Sequence, residues 1–151
     1  MNLLPSNNIN LYGYKDLFLE FKKLHDKNLL PNKIILSGSN GIGKSTFIYH
    51  LINYIFSSNE ENKYNIDKNI ISKKNYSYNL ILKDSHPNFF SILKDEKKEL
   101  GQISKIREMI NFTNKSSFNN QHKIILIDNV EILNVYSINA LLKLIEEPNN
   151  K

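Results

Sequence analysis

The sequence predicts an α/β fold with a mainly parallel sheet, and three observations carry that expectation. Strand-like runs at Ile34-Ile35-Leu36, Phe89–Ile92 and Ile124–Ile127 alternate with segments of helical period. The first run passes directly into a glycine-rich turn and then an apolar helix stripe. The third is four apolar residues ending at Asp128, the pattern of a strand buried on both faces. With 151 residues, the chain has room for one ordinary domain.

Taken in order, the elements follow from spacing. Leu17, Phe18, Phe21 and Leu24 recur at helical intervals, predicting a helix over 14–28 that Pro31 closes off. Residues 34–36 read as a buried parallel strand. Phe47, Ile48, Leu51, Ile52 and Ile55 form one stripe, so a helix is expected over 44–56. Residues 57–79, rich in Ser, Asn, Lys, Glu and Tyr, have little period and read as a polar insertion with no assigned fold. Leu80-Ile81-Leu82 and Phe89–Ile92 are strand candidates on either side of His86-Pro87-Asn88, the second being the better. Beyond a charged stretch at 94–99, Ile103, Ile106 and Ile110 mark a helix over 102–114. Ile138, Leu141, Leu142 and Ile145 mark a last helix, expected to start with Ser137 as its N-cap and to end before Pro148. No internal repeat is present.

Composition narrows the classes. Apolar residues make up 40% and Gly plus Pro only 9 residues, which excludes collagen-like and low-complexity chains. No window approaches 18 consecutive apolar residues, and the first eight lack a leader pattern, so a cytoplasmic location without membrane attachment is expected. There is no cysteine, which rules out disulfides, thiolate zinc sites and cysteine nucleophiles. The four His residues have no metal-ligand spacing. The net charge of +5 is weak evidence for a polyanionic partner, because 19 of 20 basic residues are Lys in a chain equally loaded with Asn (24) and Ile (21). That bias is the mark of an AT-rich genome.

Gly38-Ser39-Asn40-Gly41-Ile42-Gly43-Lys44-Ser45 fits G-x-x-x-x-G-K-[ST], set between a predicted strand and a predicted helix. Three of the five glycines fall within six positions. Without Cβ atoms, successive backbone N–H groups can curl around phosphate oxygens, and the following helix adds its positive end. Lys44 is expected to bridge the β- and γ-phosphates, Ser45 to ligate Mg²⁺, and Thr46 to lie near the α-phosphate; Asn40 and Ile42 contribute loop backbone. Asp128, at a strand end, is the candidate second support for Mg²⁺. Asn129 follows it, and an amide cannot take a proton from water. Glu131 is a possible substitute if the backbone stays extended. Binding of ATP with weak or absent hydrolysis is the expectation, and no catalytic residue is assigned.

Several segments together resemble one family. Ser137-Ile138-Asn139-Ala140-Leu141-Leu142-Lys143-Leu144-Ile145-Glu146-Glu147-Pro148 is similar to the S-x-N-A-L-L-K-x-x-E-E-P signature of bacterial DNA polymerase III clamp-loader AAA+ subunits. Leu11-Tyr12-Gly13 resembles the segment that borders adenine in them, which adds Tyr12 and Gly13 to the expected nucleotide-binding set. Residues 103–110, with Arg107-Glu108, resemble their I-R-E helix. Ser85-His86-Pro87-Asn88-Phe89 and Asp128-Asn129 favour the delta-prime type over the gamma/tau type, which has Asp-Glu at the latter position. The resemblance implies a three-layer P-loop NTPase fold of the AAA+ kind, ATP and Mg²⁺ as ligands, and partners comprising other loader subunits, the sliding clamp and, through the complex, primed DNA.

Two departures from the family pattern matter. A four-cysteine zinc module common in these subunits is impossible here, and residues 57–79 stand in its place. The chain also ends at Lys151, before the expected sensor-1 strand, lid and collar domain, so it reads as the N-terminal part of such a protein with an incomplete, poorly stable sheet. Arg107, the sole arginine, is open between a phosphate or inter-subunit contact and a local carboxylate bond. Ser137, Asn139 and Lys143 are candidates for DNA-backbone contact, while His86 reads as a turn residue. Competing readings are the gamma/tau motor, a small-metabolite kinase, for which one arginine is a poor supply, and an interaction module with a relic P-loop.

Overall fold

A computed structural model describes residues 4–93 and 99–146. The charged run 94–98 and the Glu147-Pro148 end of the signature lie outside the described residues, as does the side chain of Ile103. The chain divides into two compact units, 1–85 and 86–151.

The first unit is helical. Helix α1 (Lys15–Asp26) and helix α2 (Lys44–Phe56) match the predicted stripes. They pack through an aromatic cluster in which fully buried Phe18 stacks on Tyr64 at 5.1 Å and meets Phe47 edge-on at 6.3 Å. Each such ring removes a large apolar area from water, so this cluster anchors the unit.

Residues 57–75 have a definite structure, which periodicity did not reveal. A short 3₁₀ turn, Ser57–Asn59, continues α2. A tight loop then closes through paired backbone bonds between Asn65 and Ile70 (2.9 and 3.1 Å). The segment adds to the N-terminal strip: the Leu11 N–H donates to the Asn69 carbonyl at 3.0 Å, and the Ile71 N–H to the Ile9 carbonyl at 2.9 Å. Its anchors are Tyr64 and Ile71, both buried. Helix α3 (Tyr76–Leu82) follows, capped by Asn75, whose Oδ1 accepts from the Tyr78 N–H at 2.6 Å. Leu80-Ile81-Leu82 is therefore helical and not a strand. The deciding feature is the cap: Asn75, together with the Glu60 carboxylate on the Tyr76 and Ser77 N–H groups (2.9 and 3.0 Å), satisfies the donors that a helix start leaves open.

The second unit holds the sheet. Strands β1 (Phe89–Ile92) and β2 (Ile124–Ile127) pair in parallel, with Phe90 opposite Ile125 and Ile92 opposite Ile127. These four share one face by the two-residue repeat of a strand. Onto that face pack Ile106, Met109 and Ile110 of helix α4 (Glu99–Asn114) and Ala140 and Leu141 of helix α5 (Val135–Glu146). A parallel pair crossed over by a helix is the βαβ arrangement expected from the order of elements.

Two expectations need correction. Residues 34–36 form no strand, and Ile35 is 90% exposed. A helix makes its hydrogen bonds within itself, whereas a strand needs a neighbour, and among the described residues none pairs with this run. The cap of the last helix lies three residues earlier than expected, at Asn134, whose Oδ1 accepts from the Ser137 N–H at 2.9 Å, so the helix begins at Val135. Ser137 instead sits inside the helix at 2% exposure.

Candidate phosphate loop and its surroundings

The loop runs from Gly38 to Gly43 and delivers Lys44 as the first residue of α2. Gly41 and Gly43 have φ of +79° and +96°, a region that side-chain-bearing residues resist, which explains why glycine occupies both positions. Gly43 is the residue preceding the helix, so the first backbone N–H groups of α2 have no partner within the helix. They carry the positive end of its dipole. The Lys44 ammonium lies across the loop, donating to the carbonyls of Gly38 and Ser39 at 2.7 and 2.9 Å. Nothing lies within 4 Å of a Cβ built on Gly41, so the loop faces open space. A cationic side chain, a run of glycine backbone and a helix start lie next to one another in this segment, a donor set suited to phosphate oxygens.

Around it, the N-terminal strip is fastened to α2. Asn8 Nδ2 reaches the Thr46 hydroxyl at 3.4 Å, and the Asn8 carbonyl accepts from His50 Nε2 at 3.1 Å. Because a carbonyl only accepts, Nε2 carries the proton, and Nδ1 therefore accepts from the Tyr64 hydroxyl at 3.0 Å. His50 has no exposed surface, and burial holds its pKa down at about 4, so it is neutral. Burial likewise pushes the Tyr64 hydroxyl up. Tyr14 donates to the Ile42 carbonyl at 2.6 Å and packs on Phe47 at 5.6 Å. Neither His50 nor Tyr14 was marked by sequence spacing, since their partners lie 14 to 42 residues away.

Tyr12 is 84% exposed, and Gly13 beside it has φ of +70°. Ser45 and Thr46 occupy the first turn of α2, both half-buried. Asp128, in the second unit, closes the C-terminal end of β2, with its N–H on the Ile92 carbonyl at 2.9 Å. Asn129 adopts φ of +56° and leads into a 3₁₀ turn over Val130–Ile132. Asn tolerates that left-handed conformation better than Glu does, giving the amide a structural reason to be there. The same turn takes Glu131 out of the extended backbone on which its substitute role depended. Arg107 is exposed, and no ion pair among the described residues engages it. His86 accepts the Asn88 N–H on Nδ1 at 3.2 Å, as a turn residue should. Buried Asn88 then clamps residue 118, accepting from the Phe118 N–H at 2.7 Å and donating to its carbonyl at 2.8 Å. Burial removes Ser137 from any contact with nucleic acid, while Asn139 and Lys143 are exposed. Among the described residues no group of three His, Cys, Asp or Glu is arranged to hold a metal, and no helix is long and apolar enough to cross a membrane.

Fold and loop together define a mixed α/β protein with a phosphate-loop motif inside its N-terminal helical unit and a βαβ arrangement in its second unit. The family described as DNA polymerase III, delta subunit matches residues 13–151, and the chain belongs to that family. It is also similar to the DNA polymerase III subunit delta' of Pseudomonas aeruginosa, with 29% identity over 69 residues. That alignment covers 46% of this chain and 21% of the relative's length.

Proposed function

We propose that the chain is the nucleotide-binding N-terminal part of a delta-prime type clamp-loader subunit with an AAA+ fold, one that binds ATP with Mg²⁺ and hydrolyses it slowly or not at all. The observation that supports this reading is the match over residues 13–151 joined to a G-x-x-x-x-G-K-S loop in which Gly41 and Gly43 adopt left-handed φ values. Lys44 leaves its two loop carbonyls for the phosphates, an exchange made easy by its exposed position. Gly41, Ile42 and Gly43 hold the loop backbone around the β-phosphate, and Thr46 stands at the α-phosphate. Tyr12 and Gly13 border the base. Ser45 is the loop residue that would hold Mg²⁺, which neutralises phosphate charge when bound. Hydrolysis needs a base beside the attacking water, and Asn129 cannot serve.

In this reading the subunit joins other loader subunits in a cytoplasmic ring that places the sliding clamp on primed DNA. The test is reconstitution. Full-length protein added to a loader lacking its delta-prime subunit is expected to restore clamp loading on primed DNA while adding little ATP turnover of its own. Failure to restore loading, or vigorous turnover by the purified subunit, contradicts the proposal.

A further inference from the structure

We propose that Tyr14 is a positioning residue that sets the direction of a phosphate-binding backbone N–H; this rests on the nucleotide-binding reading above. The Tyr14 hydroxyl donates to the Ile42 carbonyl at 2.6 Å, across 28 residues of sequence. The Ile42–Gly43 peptide is trans, so its carbonyl and N–H point opposite ways, and fixing one fixes the other. By holding the carbonyl, Tyr14 turns the Gly43 N–H to the side away from its own ring. Without that bond the peptide loses a restraint on its loop side, because Gly43 has no side chain to hold it and Ile42 before it lies exposed in the loop.

Two further observations single out this contact. Tyr14 itself has φ of +56°, a costly conformation for a bulky residue, and such strain persists only where surrounding contacts enforce it. Those contacts are present: its carbonyl accepts from the Phe18 N–H at 2.8 Å to start α1, and its ring lies 5.6 Å from that of Phe47, one turn into α2. A Cβ on Gly43 would lie 3.5 Å from the ring edge, so ring and loop are in van der Waals register. Tyr14 therefore ties the start of α1, the loop and the first turn of α2 into one rigid body, and rigid donors bind an anion without the entropy cost of ordering a floppy loop.

The decisive variant is Tyr14→Phe in the full-length protein, which keeps the ring and deletes only the hydroxyl. Affinity for Mg–ATP, measured by titration calorimetry well below the melting temperature, is expected to fall about five- to tenfold, the size of one hydrogen bond. Amide exchange at Gly41, Ile42 and Gly43 is expected to accelerate in the nucleotide-free protein while α1 and α2 stay protected. A purely structural role would instead lower the melting temperature and leave the affinity of the folded protein untouched. Unchanged affinity in Tyr14→Phe, with wild-type binding intact, overturns this inference alone. Absence of wild-type binding overturns the nucleotide reading and this inference with it.

Discussion

His50 illustrates how much one side chain can carry. It sits at the junction of the N-terminal strip, α2 and the segment that follows, neutral and bonded on both nitrogens. Its pKa is about 4 when folded against 6.5 for the free group, mainly through burial. The unfolded chain therefore binds the extra proton between those values, and stability must fall as pH drops from about 6.5 towards 4, by on the order of 3 kcal/mol in full. Asp26 behaves differently. Hydrogen bonds from Lys22 first and Tyr54 second hold its carboxyl below 3.8, so its stabilisation is lost only as pH falls below that value. The two windows are separate. Denaturant unfolding followed between pH 6.5 and 4.5 is expected to show a slope that His50→Gln flattens. An equal slope in both proteins would contradict the assignment.

At the scale of elements, the helices and strands that rest on repeated apolar spacing were legible: α1, α2, α4, β1, β2 and α5 are all present on their stripes or runs, although α4 and α5 start earlier than expected. Residues 57–75 were not, because side-chain hydrogen bonds and two isolated apolar anchors organise them, and neither leaves a period. Asn75 is the centre of this network. Its Oδ1 caps α3 and accepts from Asn53 Nδ2 at 2.8 Å, and its Nδ2 donates to the Asn62 carbonyl at 2.8 Å. Removing a fully buried amide leaves several groups without partners, so Asn75→Ala is expected to cost about 2–4 kcal/mol. Chemical denaturation with amide exchange at α3 checks this. A cost below about 0.5 kcal/mol, the range of an ordinary surface change, would mean the network is not what holds the segment.

Across the whole molecule, the sharpest sequence signals were the local ones. The glycine loop was legible because its backbone demands particular residues at fixed spacing, and Gly41 and Gly43 do adopt the left-handed values. The fastening of the loop by Tyr14, and of the helix behind it by Asn8, was not legible, since contacts between distant segments depend on the fold and leave no spacing behind. The failed strand at 34–36 makes the same point in reverse: an apolar run shows only that burial is possible, and a strand forms only against a partner. Exposed Val135, Tyr136 and Leu142 on α5 belong with Ile35 as apolar surface that the described contacts leave uncovered.

The account depends most on the loop at residues 38–45 holding a nucleoside triphosphate with its magnesium ion. Titration calorimetry of full-length wild-type protein and Lys44→Ala with Mg–ATP tests that directly. Saturable one-to-one binding by the wild type, lost in Lys44→Ala although that variant remains folded, is the predicted result. No heat of binding in the wild type, or equal affinity in the two proteins, would contradict it.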